Sequence, residues 1–361
     1  MYRDVGIIKS GGIELRGMKA SLAPRRQQSQ SPKLEKYQFI PFESSQFCKE
    51  DDEKIRSQIL TVLGQIVLEN SSGALKLKIV EVAYGKTSES LIVTKLQNIF
   101  ELEPMLTIDV SVIISGSFDS ASLETVGIKA VQKDVTTQMV DQNVHLVVLS
   151  DILVHGNIAI LSNSVSALKP GGFILLEEPK GGVENKLPNS DLEVVAQYST
   201  STKTYVLLRK SVDTDDAIII TITENHFKWV ETLKDALKLS ENEGRKVILV
   251  TEREELTGLI GLVNCVMREP GGANIRSFFL KDSKAEKFSL TSSFYQQQLK
   301  KDLIHNVLKG GVWGSFRHLP LDQVTDSEKL QVEHAYINTL VRGDLSSLKW
   351  IEGPLTYYRY I

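Results

Sequence analysis

Apolar positions in this chain fall into two kinds of run. Short runs at Leu77–Ala83, Leu106–Ile114, Val144–Leu149, Gly172–Glu177 and Thr204–Arg209 are apolar nearly throughout, as strands covered on both faces are. Ahead of them, Ile55–Glu69 places Ile55, Ile59, Leu60, Val62, Leu63, Ile66 and Val67 close to a helical period. A second series starts after Asp213-Thr214-Asp215-Asp216. It predicts strand Ala217–Thr223, helix His226–Ser240, strand Lys246–Val250, helix Glu254–Met267 and strand Asn274–Leu280. Two further helices are predicted at Ser293–Val307 and Ser327–Leu340, and Thr356–Ile361 reads as a strand beginning. At the other end, β-type runs Val5–Lys9 and Gly12–Lys19 flank a Ser10-Gly11-Gly12 turn, and the polar stretch Ala23–Pro32 suits an extended linker. The predicted fold class is α/β: two doubly wound, Rossmann-like units preceded by a short β/linker segment.

Hydrophobic residues make up 42% of the chain and charged residues 24%, enough apolar material for packed cores. The net charge of -3 supplies no basic field for tracking a phosphate backbone, so no nucleic-acid partner is expected. Cys48 and Cys265 are the only cysteines and lie far apart, which argues against a disulfide framework or zinc and for a reducing compartment. No run reaches the ~20 apolar residues needed to span a bilayer, and the first residues lack a signal-peptide core. A cytoplasmic location and no membrane contact are the expectation.

The chemistry such units usually carry is missing. A class I methyltransferase holds S-adenosylmethionine at the end of its first strand with an acidic residue followed by alternating glycines. Here Glu81 and Gly85 fit that pattern, but Ala83 and Thr87 stand at glycine positions and would crowd a ligand. The second strand lacks an acid at its end; Asp109 comes too early and Asp119 late. Lys169-Pro170-Gly171-Gly172 matches the late helix stop, turn and strand of that fold. In the second unit no glycine stands between Thr223 and Phe227 to bring backbone N–H groups to a pyrophosphate, and no tyrosine has lysine four positions on. The six histidines show no paired ligand spacing, so no metal is expected. Cys265 reads as a buried thiol, and Glu177-Glu178 and Glu254-Glu255 as solvated charges. No catalytic, cofactor-binding or metal residue is assigned. Glu81, Ala83, Gly85 and Thr87 are eroded cofactor positions.

Three segments point to a family: Leu262–Gly272 (with Arg268-Glu269-Pro270-Gly271-Gly272), Val312-Trp313-Gly314-Ser315-Phe316-Arg317-His318, and Arg342-Gly343-Asp344-Leu345-Ser346-Ser347-Leu348-Lys349-Trp350. In this order they resemble the animal-type (type I) fatty acid synthase, in the non-catalytic half of its ketoreductase. Ser21–Gln28 and Leu34-Glu35-Lys36-Tyr37 look like the exit from that synthase's dehydratase. The resemblance implies a layout of 1–22 end of the dehydratase, 23–50 linker and 51–210 vestigial methyltransferase-like domain. After these come 213–350, the structural ketoreductase-like half, and 351–361, the first strand of the enoyl reductase. It further implies a segment with no cofactor of its own inside an NADPH-using, multifunctional enzyme of fatty acid biosynthesis. Its partners would be the catalytic ketoreductase half and the enoyl reductase, in a homodimer. A divergent S-adenosylmethionine-dependent methyltransferase and a free-standing, synthase-derived docking protein are the alternatives.

Overall fold

The computed structural model describes residues 8–16, 35–44, 52–71, 76–83, 90–100, 106–114, 123, 127–138, 140–183, 192–211, 216–222, 227–252, 258–282, 284–320, 332 and 334–353. The chain divides into two compact units, Met1–Glu35 with Asp322–Ile361, and Lys36–Leu321. In the first, β1 (Ile8–Ser10) and β2 (Ile13–Leu15) form an antiparallel hairpin across Gly11-Gly12, both at positive φ.

The large unit holds two sheets. Its elements open with β3 (Glu35–Pro41) and β4 (Glu43–Ser44). They continue as α1 (Asp52–Asn70), β5 (Lys76–Ala83), α2 (Val93–Phe100), β6 (Thr107–Ile114), β7 (Lys129–Gln132), β8 (Val144–Ser150), α3 (Ile158–Ala167), β9 (Leu168–Pro179), β10 (Leu192–Ser199) and β11 (Lys203–Lys210). The first sheet has eight strands in the order β4-β10-β11-β9-β8-β5-β6-β7. From β9 to β7 the pairing is parallel, and β11 and β10 close the other side antiparallel. Apolar residues alternate between its faces. Leu77, Ile79, Leu146 and Val148 pack under α1 and α2, while Val80, Val82, Val147 and Leu149 pack under α3. Two-sided burial is why these strands read as unbroken apolar runs.

The second sheet is built from β12 (Ile218–Ile222), α4 (Trp229–Glu243), β13 (Val247–Thr251), α5 (Leu259–Val266), β14 (Ile275–Leu280), α6 (Ser293–Leu299), β15 (His305–Lys309) and β16 (Val312–Pro320). Its order is β12-β13-β14-β15-β16-β3, the first four strands parallel. Leu233 of α4 and Leu259 and Val263 of α5 cover one face; Tyr295 and Leu299 of α6 cover the other. The fold class is α/β with two Rossmann-like units, although the second sheet runs in chain order without reversal.

Several expectations need correction. Residues 35–44, placed in the linker, are strand. β3 completes the second sheet and β4 the first, with Ile40 and Phe42 buried; residues 23–34 lie outside the described set. The helix expected over Ser293–Val307 ends at Leu299. Asp302 then takes a positive φ of 52°, and the chain enters β15, where parallel pairing with β14 outweighs the helical period. The helix expected over Ser327–Leu340 is absent over Ala335–Thr339, which is β17, paired antiparallel with β18 (Leu348–Glu352). Tyr336, Ile337 and Thr339 favour an extended backbone there. The second sheet closes at Pro320, and the described residues between 332 and 350 belong with the small unit and not with the sheet. The strand expected at Thr356–Ile361 lies outside the described residues.

Candidate functional site

Strand order in the first sheet reverses between β5 and β8, since β6 and β7 extend one way and β9 the other. At such a switch point the connections part and leave a crevice beyond the carboxyl ends of the strands. Of the four eroded positions, Glu81 and Ala83 lie on β5, beside this reversal. Glu81, fully buried on β5, accepts from the N–H groups of Ile92 at 3.1 Å and Val93 at 2.8 Å. Its two oxygens thus cap the first turn of α2. Ala83, buried, is the last residue of β5. Gly85 and Thr87 lie outside the described residues, as does Asp119. Asp109 sits near the start of β6, bonded to Lys76 at 2.7 Å and Lys129 at 3.3 Å. The hydrogen bond from Lys76 leads in lowering its pKa, against the opposing effect of burial. It straps three neighbouring strands and is far from the crevice end of its own.

Further round the same sheet end, the carboxylates are committed to protein partners. Glu177 accepts from Arg56 Nη2 at 3.1 Å, and the same guanidinium donates Nε–H to the Tyr205 hydroxyl at 3.1 Å. Lys203 Nζ bonds Asp151 Oδ1 at 3.0 Å. Glu178 accepts from Leu153 N at 2.9 Å and Val154 N at 3.2 Å, and burial raises its pKa. Glu177 and Glu178 point apart, as expected, but both are buried and not solvated. No group of ligand-type side chains able to hold a metal occurs among the described residues.

In the second sheet, the Thr223–His226 connection where a dinucleotide would sit lies outside the described residues, as does Glu254-Glu255. Ser277, His305 and Asn264 form a chain that imitates a catalytic triad: Ser277 Oγ to His305 Nδ1 at 2.7 Å and His305 Nε2 to Asn264 Oδ1 at 2.9 Å. Ser277 Oγ also donates to Ile304 O at 3.0 Å, and serine and imidazole are buried. With no access for a substrate, this is a core hydrogen-bond chain. Cys265, expected to be buried, is exposed on α5.

The strongest polar geometry joins the two sheets. Arg209 on β11 sends Nη1 to the main-chain oxygens of Lys301, at 3.1 Å, and Asp302, at 2.5 Å. The Asp302 carboxylate, 9% exposed, takes a two-pronged contact from Arg276 at 2.7 and 3.0 Å, bonds Lys246, and lies 3.8 Å from Arg209. Against the cost of burial, these cations hold its pKa far below the usual carboxylate range, Arg276 most strongly. Arg317 on β16 grips Glu69 of α1 at 2.7 and 3.1 Å, and Asn70 Oδ1 accepts from Ile304 N at 2.9 Å. Sequence reasoning missed this joint, because its partners across the two sheets are separated by 92 to 248 positions. The only hint was that Arg317 lies within one of the three characteristic segments.

Those segments prove architectural. In the first, a Cβ at Gly272 would stand 1.7 Å from Val266 O, so only glycine lets the chain leave α5 there. In the second, a Cβ at Gly314 would stand 2.3 Å from Ile40 O, which admits β3 beside β16. In the third, Asp344 Oδ1 accepts from Ser346 N at 2.9 Å and Ser346 Oγ at 2.6 Å, shaping the turn into β18.

Among solved structures, a LepI variant in complex with SAH and a substrate analogue is 17% identical, over 41% of this chain and 46% of that one, with a TM-score of 0.32. The mitomycin 7-O-methyltransferase MmcR is 14% identical, over 46% and 61%, with a TM-score of 0.31. A TehB-like SAM-dependent methyltransferase from Corynebacterium glutamicum is 14% identical, over 41% and 86%, with a TM-score of 0.30. Likeness at that level carries no argument about binding or activity, and the chain spans less than two thirds of the first two. Residues 226–321 match the family model described as "Fatty acid synthase, pseudo-KR domain", from the α4 region through β16. On that match, this part of the chain is similar to the pseudo-ketoreductase segment of fatty acid synthases.

Proposed function

We propose that the chain is a non-catalytic structural segment of an animal-type (type I) fatty acid synthase, which holds the ketoreductase, enoyl reductase and dehydratase in position. The observation that carries this reading is the joint. Arg209–Asp302 and Arg317–Glu69 tie two sheets, and in the first of them Glu81, Glu177 and Glu178 are spent on structural partners. Unlike an exposed ion pair, a buried cluster with its hydrogen bonds filled holds one geometry and resists rearrangement. A body built this way suits transmitting position between neighbours. In the whole synthase, NADPH would be held by the catalytic halves, with this segment's partners being the catalytic ketoreductase half and the enoyl reductase. The test is co-expression of the chain with a separately produced catalytic ketoreductase half. Co-purification with raised ketoreductase turnover is expected; no association and unchanged turnover would refute the reading.

A second reading, a divergent S-adenosylmethionine-dependent methyltransferase, draws on the strand reversal beside Glu81. Calorimetry with S-adenosylmethionine decides it. Saturable heat that Gly85→Val abolishes would establish it, and none is expected.

A further inference from the structure

The carboxyl ends of β14 and β15 border a cavity of about 640 Å³. It lies two strands along the sheet from the β12–α4 connection, and its volume is in the range that takes a small organic ligand. One wall is formed by Lys281, Asp282, Lys284, Ala285 and Glu286, which follow β14. The others are Phe294 of α6, Leu308 of β15 and the Gly310-Gly311 turn. Both glycines have positive φ, 63° and 75°, as a tight two-residue hairpin requires. Their N–H groups donate to the two oxygens of Asp282 at 2.7 and 2.6 Å. Opposite walls are therefore braced together, and the cavity is formed in advance.

The lining favours one kind of ligand. Phe294 is 37% exposed, yet its ring is fixed against Trp313 at 5.5 Å and Tyr295 at 5.2 Å, so it offers a set apolar face. The acids on the rim keep their charge but are turned to protein donors. Asp282 spends both oxygens on the glycine N–H groups, and Glu286 Oε1 accepts from Ser292 Oγ at 2.6 Å. Lys284 is exposed and has no ion pair among the described residues. Lys281, over the Phe316 ring at 5.6 Å, adds positive charge nearby. We infer that this cavity binds a small organic anion: an aryl or alkyl group lies on Phe294 and Leu308, and a carboxylate or phosphate meets Lys284.

Calorimetric titration of the full chain with phenylbutyrate, phenylbutyl phosphate and phenylbutanol tests the inference. At least one anion is expected to bind saturably, with Kd of about 1 mM or tighter. The tighter of the two identifies the head group. Phenylbutanol should bind roughly fivefold more weakly, and Lys284→Glu should weaken the anion by a similar factor while sparing the alcohol. Raising salt should weaken only the anions. Phe294→Ala should weaken all three. Should Lys284→Glu fail to fold, Lys284→Gln and the salt series carry the same comparison. An absence of saturable heat from both anions, equal binding of the alcohol, or indifference to charge at position 284 would each overturn it.

Discussion

Asp302 has a backbone held at positive φ and a carboxylate that answers Arg276, Lys246 and Arg209 at once. Burial draws the Arg209 pKa down to about 10, which still leaves it charged, so the cluster carries more positive than negative charge. Removing the one anion leaves those cations buried without an answer. Asp302→Asn should therefore cost about 3–5 kcal/mol of stability, read from urea unfolding monitored by tryptophan fluorescence. A loss below about 1 kcal/mol, the worth of an exposed pair, would mean that the cluster is solvated and not a keystone. Glu81, which the sequence marks as an eroded cofactor position, and Glu177-Glu178, which it marks as solvated charges, are employed in the same manner, each by donors of its own fold.

Among the elements, β3 has the least local support. It is one edge of the second sheet, and its neighbour β16 comes from the other end of the large unit. Gly314 sets how near they approach, with Ile40 O and the Phe39 ring occupying the space a Cβ would need. Gly314→Ala should cost about 1–3 kcal/mol by overpacking. It should also release residues 35–44 to limited proteolysis before the rest of the large unit is cut; uniform resistance there would show that β3 is held by other contacts. Strands with two covered faces, such as β5, β8 and β9, were legible because each carries a run of apolar positions on both faces. β3 was not, because Glu35-Lys36-Tyr37-Gln38 reads as polar linker until its partner is known. β15 was hidden for a related reason: Asn306 looks like a surface residue, but its amide is buried and bonds Gln298, Ser277 O and Leu303 O.

At the scale of the whole molecule, stability should depend on pH through two imidazoles, His305 buried and His145 half-buried. His145 accepts from the Lys78 main-chain N–H through Nδ1 at 3.2 Å, and burial, with Lys169 nearby, depresses its pKa from 6.5 to about 4. Burial depresses His305 as well. A folded pKa below the unfolded one means the unfolded chain takes up the proton first. Stability is thus fully present above 6.5 and falls as pH drops from there toward 4. Urea midpoints measured across that window should decline with falling pH, and His145→Gln should flatten part of the slope; a level profile would contradict the burial of these rings. None of the described helices is long and apolar enough to cross a membrane.

Two alternating α/β series, the helix over α1, the strands β5, β6, β8, β9, β11, β12, β13 and β14, and the lack of nucleotide-binding glycines all followed from residue order. Apolar periodicity and glycine placement are local properties of a chain, and they act before any distant contact forms. Which sheet β3 and β4 complete, that Glu177 and Glu178 are buried, that Cys265 is not, and that Arg209 meets Asp302 were decided only by the tertiary structure. Each depends on groups brought together from far along the chain, where low-dielectric surroundings and close packing, not sequence neighbours, set the energy.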